Sequence, residues 1–280
     1  MITIAPPFQD VTITQADQEM PLELTVSNDT SHTQEITLSV IDFGQLNESG
    51  GVAFIGQQSS LLERKYGLAA WLNLPKQTVI LEPGDTETIT ATIINKASLS
   101  PGGHYAGIIG RLETDLSSTS ENNISVQPSF VSLVFAKKTG GEKYSLSFVS
   151  LEHNGSIVKL PNQVELRFNN TGNVHVVPRG TVHILGNDGS EIAKGIINQN
   201  SLPILPESFR IYSVELDDIN PTIAPGLYRL EISYRYDGRE EFTNHHESLL
   251  FSGWYPIAIF ALIVLSLLVF LRFRHSANNK

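Results

Sequence analysis

The stretch SLSPGGHYAGIIGRL, residues 98–112, holds the densest set of residues that could do chemistry, with four glycines around a histidine and a tyrosine. Glycine amides cradle phosphates in P-loops and dinucleotide sites, but those motifs need Gly-Lys-Ser/Thr or Gly-x-Gly-x-x-Gly at the start of a helix. Neither occurs here. The alternating pattern after the Pro-Gly-Gly turn favours a strand, in which glycines allow another group to approach closely. The alternative, a loop that holds a ligand, makes His104 and Tyr105 candidate ligand-binding residues.

The remaining reactive side chains form no recognisable catalytic constellation. His175 and His183 lack an acidic third ligand nearby in the sequence, and adjacent acids such as Asp217-Asp218 do not give the opposed geometry of a glycosidase. Gly-x-Ser-x-Gly, His-Glu-x-x-His and cysteine are all absent from the sequence. We therefore expect no catalytic residue, no metal, no cofactor and no enzymatic activity. Trp71 has two interpretations, a core residue or a platform for carbohydrate stacking, and it joins the candidate ligand-binding residues.

Strand signals dominate the first 250 residues. In MPLELTVSNDT the residues Leu22, Leu24 and Val26 fall on one face, and PSFVSLVFAKK alternates in the same way. Turns are predicted at residues 83–85, 187–189 and 237–238, where glycine permits positive φ. We expect the same of Gly172 in the Thr-Gly-Asn turn. The segment QSSLLERKYGL, residues 58–68, is expected to carry a short helix.

These elements predict an all-β protein with two tandem immunoglobulin-like β-sandwich domains followed by one C-terminal transmembrane helix. The interruption KKTGGEK separates the domains. The predicted bounds are residues 1–138 for the first sandwich, 142–250 for the second, 251–272 for the transmembrane helix and 273–280 for a cytoplasmic tail.

The C-terminal prediction rests on an apolar run that extends from Trp254 to Leu271, long enough to cross a bilayer as a helix. Trp254 and Tyr255 would lie at one membrane interface, and Arg272 and Arg274 at the other. The basic tail predicts a cytoplasmic C-terminus and an extracellular body, with residues 240–253 as a spacer. Met1 is not followed by a signal peptide, so we expect a start further upstream; the alternative is a tail-anchored cytosolic protein.

Net charge and family resemblance bear on the partners. The formal net charge is −10, and an acidic body disfavours nucleic acid. The stretches LAAWLNLP, LEPGDTETITATI and SPGGHYAGI resemble the peptidoglycan-binding domain family of WxL-interacting proteins, membrane-anchored bacterial surface proteins. That resemblance implies non-enzymatic binding of peptidoglycan or a surface partner protein, with the lipid bilayer contacted by the C-terminal helix. The alternatives are a scaffold or accessory subunit of a membrane enzyme or secretion complex, and a hydrolase with an unrecognised site.

Overall fold

The structure is a computed structural model that describes residues 1–56, 64–112, 129–219, 224–253 and 255–278. It divides into two compact units. The first comprises Met1–Ser147, Asn169–Val176 and Ile204–Arg210, and the second comprises Phe148–Phe168, Val177–Pro203 and Ile211–Lys280. The first unit thus takes in two short segments from later in the sequence. The domain bounds near residue 140 stay a prediction.

Ten strands lie in the described residues of the first unit. They are β1 (Ile2–Ala5), β2 (Phe8–Ile13), β3 (Glu19–Asn28), β4 (Gln34–Gln45), β5 (Val52–Phe54), β6 (Leu72–Asn73), β7 (Thr78–Leu81), β8 (Thr86–Ile94), β9 (Gly102–Leu112) and β10 (Ser129–Lys138). One sheet has the order β1-β3-β8-β6, and the other has the order β2-β10-β9-β4-β5 with β7 paired to β4. A 3-10 turn at Ala69–Trp71 precedes β6.

The two sheets of the first unit enclose one apolar core, as period-two strands require. Leu22, Leu24 and Val26 from one sheet and Ile108 and Val134 from the other are all at most 2% exposed. The alternation predicted from the sequence is therefore confirmed in these strands. The predicted strand after Pro101 is β9, and its residues 102–110 are buried on both faces of the sheet.

The second unit is a smaller sandwich. The strands that lie wholly or mostly in it are β11 (Leu146–His153), β12 (Gln163–Asn170), β13 (Arg179–Gly186), β14 (Glu191–Ile197), β15 (Phe209–Glu215), β16 (Asp217–Asp218), β17 (Gly226–Tyr236) and β18 (Arg239–Phe251). The sheet orders are β11-β12-β15 and β16-β14-β13-β17-β18. Phe168 and Tyr234 meet between the sheets with ring centroids 4.9 Å apart. The all-β, immunoglobulin-like class predicted from the sequence holds for both units.

Three of the predicted turn glycines are confirmed and one is not. Gly84, Gly189 and Gly238 have φ of 87°, 81° and 79°. Gly172 is not among the glycines with positive φ, so that prediction is wrong. The position needs glycine for another reason, because a Cβ on Gly172 would lie 2.1 Å from the carbonyl oxygen of Lys143.

Two predictions for the C-terminal region are corrected. Residues 240–253 do not form a spacer, since most of them belong to β18, which pairs along β17. The chain then forms helix α1 (Tyr255–Asn278). Within the ranges that the structure describes, no helix meets the length and apolarity needed to cross a membrane. That finding contradicts the predicted single-pass protein with an extracellular body and a cytoplasmic tail. The predicted helix within residues 58–68 lies largely outside the described residues.

Candidate functional site

The chain changes sheets at Pro6-Pro7, and this change leaves part of β10 without a neighbour. β1 pairs with β3 in one sheet, whereas β2 pairs in parallel with β10 in the other, beginning at Phe8 opposite Leu133. β9 pairs with β10 over its whole length, from Ser129 to Lys138. Among the described residues, no strand therefore pairs with the outer edge of β10 over Ser129–Ser132. We call these four residues the free edge of β10; at its end nearest β2, Ser132 is buried and its hydroxyl donates to the Pro6 carbonyl at 2.7 Å.

The direction of the backbone groups along the free edge follows from one hydrogen bond. The amide of Leu133 donates to the carbonyl oxygen of Pro7 at 2.9 Å, so it points away from β9. Amide directions alternate along a strand, so the amides of Val131 and Ser129 point outward as well. Those of Phe130 and Ser132 point toward β9. The free edge thus presents outward donors and acceptors in the spacing of a strand, which is what a further strand would bind.

Apolar side chains surround the free edge on the outer face of the sheet. Phe8, at the start of β2, is 64% exposed, and Phe54 on β5 is 41% exposed. Phe54 and Val131 cover Gly107 of β9 on this face. A Cβ on Gly107 would lie 2.8 Å from Phe54 Cε1 and 3.0 Å from Val131 Cγ2. Gly107 therefore permits Phe54 and Val131 to lie directly on the sheet. Together with Leu133, these side chains make an apolar surface beside the free edge.

A polar cluster lies further along the same face. The backbone amide of His175 donates to the Tyr105 hydroxyl at 2.9 Å, and His175 Nδ1 lies 3.3 Å from that hydroxyl. His175 Nε2 lies 3.3 Å from Asp10 Oδ2, and Lys137 Nζ lies 3.4 Å from the same oxygen. A consistent assignment has Nε2–H donating to Asp10 and the tyrosine hydroxyl donating to Nδ1. The cluster ties the segment Asn169–Val176 to β2, β9 and β10.

The chemistry of this cluster is structural. Burial alone would raise the pKa of Asp10, but the hydrogen bond from His175 and the positive charge and hydrogen bond of Lys137 outweigh it and lower the pKa. Burial raises the pKa of Tyr105 well above its usual range. Tyr105 is 1% exposed, so its hydroxyl cannot reach a substrate. An Asp-His-Tyr chain that ends on a buried neutral hydroxyl orients a segment of backbone and does not supply a nucleophile.

The three sequence-predicted ligand candidates are all buried: Trp71 is 4% exposed, and His104 and Tyr105 are each 1% exposed. His104 Nδ1 lies 2.9 Å from the Gly67 carbonyl and Nε2 lies 2.8 Å from the Ser100 carbonyl. Burial lowers the pKa of His104 and outweighs the two carbonyls, which favour the protonated form. The Trp71 and His104 rings are 5.8 Å apart. These contacts support the architectural interpretation of the PGGHY stretch.

Asp42 is a buried charged residue that the sequence analysis missed. It is 1% exposed on β4, and its Oδ1 accepts from the amides of Leu68 and Ala69 at 2.8 and 2.7 Å. Arg64 Nε lies 3.9 Å from its Oδ2. Burial raises the pKa of Asp42 despite those two amides. A cavity of about 260 Å³ adjoins it within the first unit, with a largely apolar lining from Phe43, Ile55, Tyr66, Tyr105, Leu205 and Pro206. Asp42 contacts the start of a 3-10 turn that lies 27 residues later in the chain, so no local sequence pattern marks it as a buried charge.

The other sequence-predicted positions are spread over the chain. His183 contacts Glu191 and lies 2.8 Å from the Thr181 hydroxyl. The described residues contain no group of three His, Asp or Glu side chains placed to hold a metal ion. Tyr255 is 67% exposed at the start of α1, and Arg272 is exposed near its end. Trp254 lies outside the described residues, as does the side chain of Arg274.

Comparison with known proteins gives structural matches only. No family model matches the chain, and no curated protein matches it. One matching solved structure, a chaperone–tip adhesin complex of CFA/I fimbriae, has 13% identity and a TM-score of 0.46, covering 89% of this chain and 98% of that one. The class 5 fimbriae chaperone CfaA has 14% identity and a TM-score of 0.44, covering 89% and 100%. The Salmonella enterica SafA pilin with the SafB chaperone has 9% identity and a TM-score of 0.41, covering 89% and 96%.

These matches correct the resemblance drawn from sequence. The three structures named above are fimbrial chaperones or their complexes, not WxL-interacting proteins, so the predicted family is wrong. The predicted binding of peptidoglycan is also wrong, and so is the alternative role as a scaffold in a membrane enzyme or secretion complex. Binding of cell-wall polymer and of a lipid bilayer has no support. The distinctive stretches that suggested that family are explained by the turn before β9 and by the buried contacts of His104 and Tyr105.

Proposed function

We propose that this protein binds an extended segment of a partner protein by strand addition along the free edge of β10. The observation that carries the proposal is that β2 begins only at Phe8, opposite Leu133, which leaves the outward amides of Ser129 and Val131 beside no described strand. An added strand would exchange main-chain hydrogen bonds with these groups. Main-chain bonding gives affinity that depends little on the partner's sequence.

Side chains around the free edge define the partner's chemistry. An added strand presents alternate side chains to the outer face of the sheet, where Phe8, Phe54, Val131 and Leu133 lie. Apolar side chains at those alternate positions would be removed from water, at about 25 cal/mol per Å² of buried apolar area. We therefore expect an extended segment with apolar residues at every second position. The matched chaperone structures name a tip adhesin and a pilin as partners of those chaperones. For this chain we propose only that the partner is a protein, and the support for this is the geometry of β10.

Binding rather than catalysis is the activity that this geometry favours. The clusters that could do chemistry, around His175, His104 and Asp42, are buried and satisfied by the fold's own backbone and side chains. The proposed surface itself offers main-chain groups and apolar side chains. We infer that the protein is not an enzyme and acts through one protein partner.

Val131→Pro tests the proposal on the full chain. Proline removes the outward amide of Val131 and leaves the β9 ladder in place, because that ladder uses the amides of Phe130 and Ser132. The probe is a fluorescent seven-residue peptide with alternating valine and threonine, measured by polarisation. We expect the wild type to bind it and Val131→Pro to weaken binding by about tenfold, the worth of one or two main-chain hydrogen bonds.

Val131→Ala is the matched control, since it removes the side chain's packing and keeps the amide. It should bind the peptide two- to threefold more weakly than the wild type at most. Thermal melts of both variants report whether the first unit is intact. Equal binding by the wild type and a folded Val131→Pro variant would rule out strand addition at this edge.

A further inference from the structure

The second unit ends its five-stranded sheet on an unusually long edge. β18 has 13 residues, and β17 lies on its inner side. In the part of the chain that the structure describes, no strand pairs with its outer side. Arg239, Glu240 and Glu241 at its start are exposed, and Phe242 is 53% exposed. Long open edges invite pairing with another strand, and proteins usually protect them with charges.

The charges on β18 are arranged so that the strand complements itself when it is reversed. The sequence Arg239–Glu247 is REEFTNHHE. If two copies run antiparallel with Thr243 opposite Thr243, Arg239 stands opposite Glu247, Glu240 opposite His246 and Glu241 opposite His245. Residues that stand opposite in an antiparallel pair have Cβ atoms about 5 Å apart and share a face, so opposite charges there attract. Twofold symmetry makes each of these pairs twice.

Neighbouring registers lack this complementarity. A dyad at Asn244 would place Glu241 opposite Glu247, a repulsive pair, and a dyad at Phe242 would place Arg239 opposite His245. Only the register centred on Thr243 places Glu247 opposite Arg239 and also a carboxylate opposite each of the two histidines, whose ring N–H groups can donate to it. Since register in a sheet is set by which side chains face each other, the charge pattern selects one arrangement. It also discourages strands of other sequence from adding here.

Two features of the edge bear on an added strand. The β17–β18 register shifts between Tyr234 and Tyr236, so that residues 240–242 of β18 stand opposite one residue of β17. From Thr243 to Phe251 the pairing with β17 is regular, so this part of β18 has the geometry that a further strand requires. In addition, Nε2 of His245 is buried and has no hydrogen-bond partner among the described residues. In the paired register Glu241 of the opposing copy stands opposite His245 on the same face of the sheet.

We propose that the partner of the β18 edge is a second copy of this chain, paired antiparallel about Thr243 into a continuous ten-stranded sheet. The dimer uses the second unit, whereas the proposed partner segment binds β10 in the first unit. The two proposals therefore stand or fall separately. Glu247 Oε1 already lies 3.8 Å from His153 Nε2 within one copy, and the Glu247 side chain remains 48% exposed for Arg239 of the second copy.

Charge reversal tests the dimer on the full chain by sedimentation at low ionic strength. Arg239→Glu and Glu247→Arg each replace two attractive pairs by two repulsive ones, so each alone should weaken the wild-type dimer by roughly tenfold or more. An equimolar mixture of the two variants should form a heterodimer, because both pairs are then opposite in sign. The double variant R239E/E247R should recover the homodimer. Glu165→Arg, an exposed reversal on the inner strand β12, is the matched control and should dimerise as the wild type does.

Several results would overturn this proposal. One is a wild type that stays monomeric throughout the micromolar range. Another is association that persists unchanged in both single variants, as contact through the exposed apolar side chains of α1 would produce. A third is failure of the mixture and of the double variant to associate when both single variants have lost the dimer.

Discussion

Substitution of Gly172 separates two reasons for which a turn can require glycine. A Cβ on Gly172 would lie 2.1 Å from the Lys143 carbonyl oxygen and 2.9 Å from the Ser145 amide nitrogen. Both are backbone atoms, so no side-chain rotation relieves the contact. Since favourable contacts lie near 3.5 Å, the two segments must separate by about 1 Å. Gly172→Ala therefore strains the backbone hydrogen bonds between the segment Asn169–Val176 and residues Lys143 and Ser145.

The cost follows from the hydrogen bonds in that pairing. The amide of Thr171 donates to the Ser145 carbonyl at 2.9 Å, and the amide of Asn173 donates to the Lys143 carbonyl at 3.0 Å. Each of these backbone hydrogen bonds contributes about 0.5–1.5 kcal/mol net. We expect Gly172→Ala to lower the free energy of unfolding of the first unit by about 1–3 kcal/mol, and Gly172→Val to lower it further.

Gly189 provides the matched control, because its φ is 81° and a Cβ there would meet nothing within 4 Å. Gly189→Ala should cost about 1 kcal/mol from backbone strain alone, and Gly189→Asn less, since asparagine tolerates the left-handed region. Urea unfolding of the full chain, followed by circular dichroism and tryptophan fluorescence, measures both. The steric account is refuted if Gly172→Ala costs no more than Gly189→Ala, or if Gly172→Asn is tolerated as well as Gly189→Asn.

Two further predictions concern buried polar groups of the first unit. Tyr105→Phe removes the hydroxyl that accepts from the His175 amide, so it should lower the free energy of unfolding by about 1–3 kcal/mol in urea titrations; no change would mean that water replaces the hydroxyl. For His104, burial sets the folded pKa below the usual 6.5, so the unfolded chain binds the proton more readily. The stability that depends on neutral His104 is complete above pH 6.5 and decreases as the pH falls toward the folded pKa. Urea midpoints against pH should therefore fall less steeply for His104→Gln than for the wild type, and parallel curves would contradict the assignment.

The sequence sufficed for the strands and turns whose signals are local. Leu22, Leu24 and Val26 are buried as their alternation requires, and Gly84 and Gly238 occupy turns that need positive φ. Gly172 looked the same in the sequence but is required by a neighbour 29 residues earlier in the chain, Lys143. A contact of that kind has no local signature.

The candidate site could not be predicted because it depends on pairing between distant segments. PSFVSLVFAKK indicates a strand, but only the change of sheet at Pro6-Pro7 reveals which half of β10 lacks a neighbour. The same limit applies to residues 240–251, which appeared as a polar spacer. Thr243, His245 and Glu247 alternate along one face of the β17–β18 sheet, but none of them is apolar. The alternation of apolar and polar residues that identifies a strand is therefore absent from this part of the sequence.

Amide hydrogen exchange at single-residue resolution, measured by NMR on the full chain with and without the valine–threonine peptide, tests strand addition at β10 most directly. The amides of Val131 and Ser129 point outward, so they should exchange rapidly in the free protein and become protected when the peptide binds. Phe130 and Ser132, whose amides already bond to β9, should change little. Peptide binding that leaves Val131 and Ser129 unprotected, or that protects only residues elsewhere in the chain, would contradict the proposed function.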